Sequence, residues 1–323
     1  MGWQCTGLRW PTEDGGPALG WQRGGTVRWS TLARGTELGF RVAGPRRCTG
    51  ARGHPCPVGA VVAGRSTGAR CPECARLDRA HSVAADTIAD DPRTYRVYLA
   101  WFGPGMVKVG ITAEEREAAR LREQGAVVFS WLGRGPLMAA RRTEELLRSA
   151  LGVPDRIPYA AKRAVRAALP NAEERRAEVA ELYGRAVALE GAGWPESLQR
   201  LPFGTVDHAG LFGLAGDVTV TCAVTELVDG GVVAGRLVAA AGPDLHLETG
   251  RSGDEEREGE KTEREGADAE ARKGEARGVT ERGVVVVDTR LMVGWVLEGA
   301  DPRAAVDVPV TGIGAGGVQD GLF

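Results

Sequence analysis

No apolar run in this chain of 323 residues reaches the roughly 20 residues that a membrane-spanning helix needs. The apolar stretch GVVAGRLVAAAG is short and carries Arg236. The start, MGWQCTGLRW, lacks a charged segment followed by an apolar one, so no signal peptide is read there. Gly2 and Thr6 do fit a myristoylation pattern, but the Ala/Arg/Gly-rich usage looks bacterial, where that modification is not expected. No internal repeat is visible either. These absences lead to the expectation of a cytoplasmic protein with no membrane role.

Charge is nearly balanced overall and unevenly placed. Residues 1–205 hold 30 Lys and Arg against 21 Asp and Glu, a net of +9. Residues 206–323 hold 11 against 22, a net of −11. A basic front suits a polyanion such as nucleic acid, DNA or RNA, and the acidic rear suits solvation, regulation or a protein partner. With 43% apolar residues the chain has enough material for two or three cores.

The pattern along the chain predicts an α+β protein. Residues 1–47, with Trp3, Trp10, Trp21 and Trp29 between Gly/Pro turns, read as a small β segment. Residues 48–82 are rich in Cys, Gly and Pro and have little core of their own. Residues 93–152 read strand, turn, strand, helix, strand, helix, with the first helix over AEEREAARLREQ and Gly125 ending it. Residues 153–205 form a helical extension broken at LPNAEE, where Asn171 is the expected N-cap. From 206 to 323 the pattern returns to β. It is interrupted by residues 251–282, of which 19 of 32 are charged and none is aromatic, so a disordered insertion is expected.

Cys48, Cys56, Cys71 and Cys74 supply four thiols in a segment that needs a staple. A C-x2-C pair in a Pro/Gly-rich turn presents two thiolates to one tetrahedral ion, and a second pair completes the shell. Structural Zn²⁺ is the expectation. The wider C-x7-C spacing leaves His54 or His81 open as a replacement ligand, and redox thiols or disulfides are the competing readings. Cys5, Cys222, His208 and His246 stand alone and read as core or surface residues.

VYLAWF and MVKVGIT, followed by EEREAARLREQGA and AARRTEELL, resemble a divergent GIY-YIG nuclease core over about 55 residues. Tyr98 ends the segment matching the first tripeptide, and Lys108 to Gly110 stand for the second, with Thr112 as the Ser/Thr that follows. Arg96 replaces the first family glycine and Lys108 the second tyrosine. The resemblance implies Arg116 or Arg120 as the phosphate-facing arginine and Glu144 as the ligand of a catalytic Mg²⁺. Tyr98 would hold or deprotonate water, beside Lys108. The cysteine cluster followed by VYLA and VKVGIT is also similar, over most of the chain, to an uncharacterised bacterial family of unknown function.

Three functions are in competition: a zinc-stapled nuclease using these residues, a nucleic-acid-binding module with a decayed core, and a protein-interaction scaffold. The second draws on exposed tryptophans and on the arginine helix RIPYAAKRAVRAAL, with Arg156, Lys162, Arg163 and Arg166 as phosphate contacts. Gly110 is expected to leave room for a phosphate to approach the sheet.

Overall fold

The computed structural model describes residues 2–11, 15–79, 91–154, 156–216, 218–250, 276–279 and 283–313. It is mixed α/β, with more strand than helix. No described helix is long and apolar enough to cross a membrane.

The front contains β1 (Trp3–Arg9), β2 (Ala18–Arg23), β3 (Thr26–Thr31), β4 (Glu37–Ala43) and α1 (Pro72–Arg79). The middle contains β5 (Thr94–Gly103), β6 (Met106–Ala113), α2 (Ala119–Gln124), β7 (Val128–Pro136), α3 (Leu137–Leu151), α4 (Tyr159–Arg166) and α5 (Ala172–Val187). Two short strands, β8 (Gln199–Arg200) and β9 (Thr205–Asp207), follow. The rear holds α6 (Ala209–Phe212), β10 (Val220–Val224), β11 (Val232–Ala241), β12 (Asp244–Thr249) and β13 (Ala276–Val279). It ends with β14 (Gly283–Asp288), α7 (Thr289–Met292), β15 (Val296–Gly299) and β16 (Val306–Gly312).

Front and rear strands, kept apart in the sequence reading, hydrogen-bond into one sheet. Its order is β13-β16-β10-β14-β12-β11-β4-β15-β1-β2-β3. β4 lies between β11 and β15, with Phe40 opposite Val233 and Val42 opposite Leu297. The reason is burial: Trp10, Leu19, Trp21, Leu38 and Val42 share a single apolar cluster with Leu237, Leu245, Val285 and Leu297. Buried Arg46 fastens the cysteine segment to this sheet. Its guanidinium donates to the carbonyls of Ala63, Ser66, Arg290 and Val293 at 2.7, 2.6, 2.9 and 2.8 Å.

The expected insertion does fall between two paired strands, β12 and β14. Most of it lies outside the described residues. Ala276–Val279, near its end, pair with β16 as β13.

The second sheet has the order β6-β5-β7-β8, with β9 also on β7. Strand β5 runs antiparallel to both β6 and β7. One face packs Tyr95, Val97 and Leu99 against Leu137 and Leu147 of α3 and Leu182 of α5. The other gathers Tyr98, Ala100, Phe102 and Phe129 with Leu121 of α2.

The helix expected over 113–124 is broken. Glu114–Arg116 makes a single 3-10 turn, Glu117 takes a left-handed φ of +42°, and only Ala119–Gln124 is α-helical. The charged first half is drawn to β5 instead of continuing the helix: Arg96 binds Glu114 at 2.9 Å and Arg93 binds Glu115 at 3.1 Å. Gly125 closes α2 in the left-handed conformation, as its position suggested. Asn171 caps α5 through a complete capping box with Glu174.

The arginine helix is not an exposed basic face. α4 turns its cations inward, where Arg163 bridges Asp244 at 2.6 Å and Asp288 at 2.7 Å. Arg166, 1% exposed at its side chain, pairs with Asp244 at 3.1 Å and donates to the Gly125 carbonyl at 3.0 Å. Lys162 donates to the Gln124 carbonyl at 3.0 Å and lies over the rings of Phe102 and Tyr159. Burying these charges without partners would be prohibitive, so α4 joins the two sheets, and Arg156 is the member of the expected phosphate-binding set that stays exposed.

Candidate functional site

Cys48 follows β4 by way of the anchor at Arg46, Cys56 lies beyond a tight loop, and Cys71 and Cys74 flank the start of α1. The loop is drawn together by the Ala51–His54 bridge. Gly50 is required in it, because its φ is +79° and a Cβ would collide with the His54 carbonyl. Cys48 Sγ accepts from the backbone N–H of Gly50 at 3.4 Å and of Cys71 at 3.2 Å.

All four sulfur atoms lie within 4.8 Å of one another. A tetrahedron with metal–sulfur bonds of about 2.3 Å sets sulfurs about 3.8 Å apart, so the four thiols can hold one metal ion such as zinc. All six cysteines are free of disulfides. Among the thiols, N–H groups of Ala60 and Val58 draw Cys56 down to about 6, while burial and the neighbouring thiols push Cys74 up to about 12. Four thiolates this close repel one another, and a bound cation removes that repulsion. His54 is exposed and outside the cluster, and His81 lies outside the described residues.

A second polar cluster forms on the β6-β5-β7 sheet. Tyr98 pairs with Gly110 and Ala100 with Lys108, which places Tyr98 and Lys108 on the same face. Gln124, at the end of α2, donates from Nε2 to Tyr98 Oη at 2.9 Å and accepts from Lys108 Nζ at 3.3 Å. Sequence reasoning missed Gln124; its place just before the helix-ending Gly125 was the available signal.

Burial raises the Tyr98 pKa above the usual tyrosine range, and the charge of Glu144 adds to this. The Gln124 hydrogen bond and the charge of Arg120 oppose it. Glu144 and Arg120 therefore both lie within electrostatic reach of the Tyr98 hydroxyl. Arg116 is turned to Glu123 at 2.7 Å, and Arg120 approaches the same carboxylate at 3.8 Å. Thr112 is buried, its hydroxyl directed to the Ala113 carbonyl.

Gly110 does not hold space open for a phosphate. The Tyr98 ring lies over it, and a Cβ on Gly110 would collide with that phenol. An aromatic side chain leaning across its strand partner fills the gap that a glycine leaves.

A family model described as a protein of unknown function (DUF2797) matches residues 35–253. No curated protein and no solved structure matches the chain.

Proposed function

The chain belongs to the DUF2797 family of proteins of unknown function, and from that premise we propose that it is a metal-stapled nucleic-acid-binding protein whose ββαβα unit carries a phosphate site of GIY-YIG-like layout. The observation that carries this reading is the hydrogen-bonded chain Lys108–Gln124–Tyr98 on the β6-β5-β7 sheet, with Arg120 within electrostatic reach of the tyrosine hydroxyl. Two cations on one face suit a phosphodiester, and the basic front half adds long-range attraction. Zinc held by the four cysteines keeps the preceding segment folded and supplies no chemistry at this face.

Binding is favoured over hydrolysis because Tyr98 is 2% exposed and its pKa is raised, which makes it a poor base at neutral pH. The second reading, divalent-metal-dependent cleavage, rests on Glu144 being within electrostatic reach of the same hydroxyl. Glu144 would then hold Mg²⁺, which would offset charge on the phosphate oxygens.

The test is fluorescence anisotropy on labelled single- and double-stranded DNA and RNA across a salt series, with and without Mg²⁺. Lys108→Gln and Arg120→Gln should each weaken binding and flatten the log K against log salt slope by about one unit. An unchanged slope in both variants removes the phosphate-site reading. Mg²⁺-dependent cleavage that Glu144→Ala abolishes would establish the second reading.

A further inference from the structure

We infer that the face of β1–β3 carrying Arg9, Val27 and Trp29 is a platform for single-stranded nucleic acid. This rests on the reading above that the protein binds nucleic acid, and it identifies a second surface and the form of nucleic acid it takes.

Strand β3 is terminal in its sheet. Cross-strand pairing of Ala18 with Arg9 and Thr31, and of Gly20 with Trp29, sets Arg9 and Trp29 on one side of the three strands. Val27, two residues from Trp29, points the same way. Val27 is 55% exposed and Trp29 is 40% exposed, while Trp10 and Trp21 are buried in the core. The indole lies across Gly20, where a Cβ would come within 2.8 Å of Trp29 Cη2 and Cζ3. Glycine at that position allows the ring to lie down on the sheet.

The Arg9 guanidinium stands 3.8 Å from the centre of the Trp29 ring. On the opposite side, Arg23 and Arg28 lie 4.5 and 4.0 Å from the Trp3 ring. β1–β3 contain three arginines and no Asp or Glu. Among the described residues, no carboxylate pairs with Arg9, Arg23 or Arg28. A guanidinium stacked on an aromatic ring keeps its N–H edge for bidentate contact with a phosphate. With one face of the Trp29 ring on Gly20 and the other under Arg9, an unpaired base stacks on the exposed Arg9 guanidinium plane and against the apolar edge formed by Trp29 and Val27.

That pairing of donors and flat apolar surface selects the occupant. A duplex keeps its bases inside the stack, and the carboxylates of an acidic peptide leave the flat surface beside Arg9 unused. A single strand presents phosphates and base faces together. The platform also leads towards the first site. Two residues beyond Arg9, the Pro11 carbonyl accepts from Arg122 at 3.1 Å, and Arg122 lies on α2 between Arg120 and Gln124.

The experiment measures the affinity of the full chain for labelled oligothymidylate, oligouridylate and a hairpin duplex. The variants are Trp29→Ala, Trp29→Phe, Arg9→Gln and an opposite-face control, Arg23→Gln with Arg28→Gln. Trp29→Ala should weaken single-strand binding about tenfold, Trp29→Phe should recover most of it, and duplex affinity should hardly move. Arg9→Gln should weaken single-strand binding more than the double control does. Because Trp29 is exposed, its removal leaves no core cavity, and circular dichroism checks the fold.

Equal losses in the control and in Arg9→Gln, or no loss in Trp29→Ala, overturn the inference. So does displacement of the oligonucleotide by polyglutamate of matched charge as readily as by unlabelled strand, since the surface then takes acidic peptides. If Lys108→Gln and Arg120→Gln weaken binding while Trp29→Ala does not, the platform alone fails. If Trp29→Ala weakens binding while those two do not, the platform stands and the site on β6-β5-β7 fails.

Discussion

The ring of Tyr98 lies against Gly110, its direct partner across β5 and β6, and occupies the space a side chain would take. Gly110→Ala should therefore destabilise the protein through overpacking, by about 1–3 kcal/mol. The nearest atoms are the hydroxyl end of the phenol, so Gly110→Ala combined with Tyr98→Leu should lose less than the two single changes added together. Urea unfolding of the four proteins measures this, and strict additivity would contradict the contact.

Purified protein should carry about one zinc per chain, with all four thiols of the cluster shielded from alkylation until chelator is added. Cys74→Ser, which removes a buried ligand, should lower zinc content sharply and make residues 48–79 sensitive to protease. Elemental analysis of metal-replete protein that finds no stoichiometric metal, with thiols reduced, rules the site out.

Asp244 accepts from Arg163 and from Arg166, and is itself fully buried. Asp244→Ala leaves Arg166 with backbone carbonyls alone, and the expected cost is about 3–5 kcal/mol for an uncompensated buried charge. A loss below about 1 kcal/mol in equilibrium unfolding would show that water or another carboxylate takes its place.

Lys162 is expected to give the protein a pH signature. Burial lowers its pKa to about 7, aided by the positive charges of Arg166 and Lys108. The unfolded chain keeps a proton on this amine up to about pH 10.4, so between pH 7 and that value the unfolded state binds more protons. Raising pH through this window therefore stabilises the fold, at up to about 1.4 kcal/mol per pH unit from this group. Comparison of wild type with Lys162→Met isolates the effect. Their stability difference should shift in favour of wild type as pH rises above 7, and parallel stability curves would place the amine in water.

Local order was largely legible in the sequence. Period-two runs marked β5 and β6, Asn171 marked the N-cap of a helix, and the four cysteines announced their cluster. What could not be read was partnership over distance. The cations of α4 have the look of a solvated face until their carboxylates are known, and Asp244 and Asp288 lie 81 and 125 residues from Arg163. Strand pattern likewise specifies a buried face and not the neighbour that covers it, so the union of β4 with β11 and β15 was hidden. At the candidate site, Lys108 and Tyr98 were visible as a hairpin, but the tyrosine's burial depends on Gln124 and Phe129, which come from elements further along.

The placement of β4 between β11 and β15 has a consequence for biosynthesis. β4 ends at Ala43, and its neighbour β15 begins at Val296. At about 5–20 residues per second, a ribosome needs on the order of tens of seconds to make the intervening chain. For most of that interval β4 lacks both neighbours, until β11 emerges at Val232, and β1 waits throughout for β15, with Trp10, Trp21 and Leu38 uncovered by the later strands. Closing a sheet from the two ends of a chain is the slow, high-contact-order route. Nascent chains of this protein should therefore depend on chaperones that shield the early strands, and the step that ends this dependence is the arrival of β15.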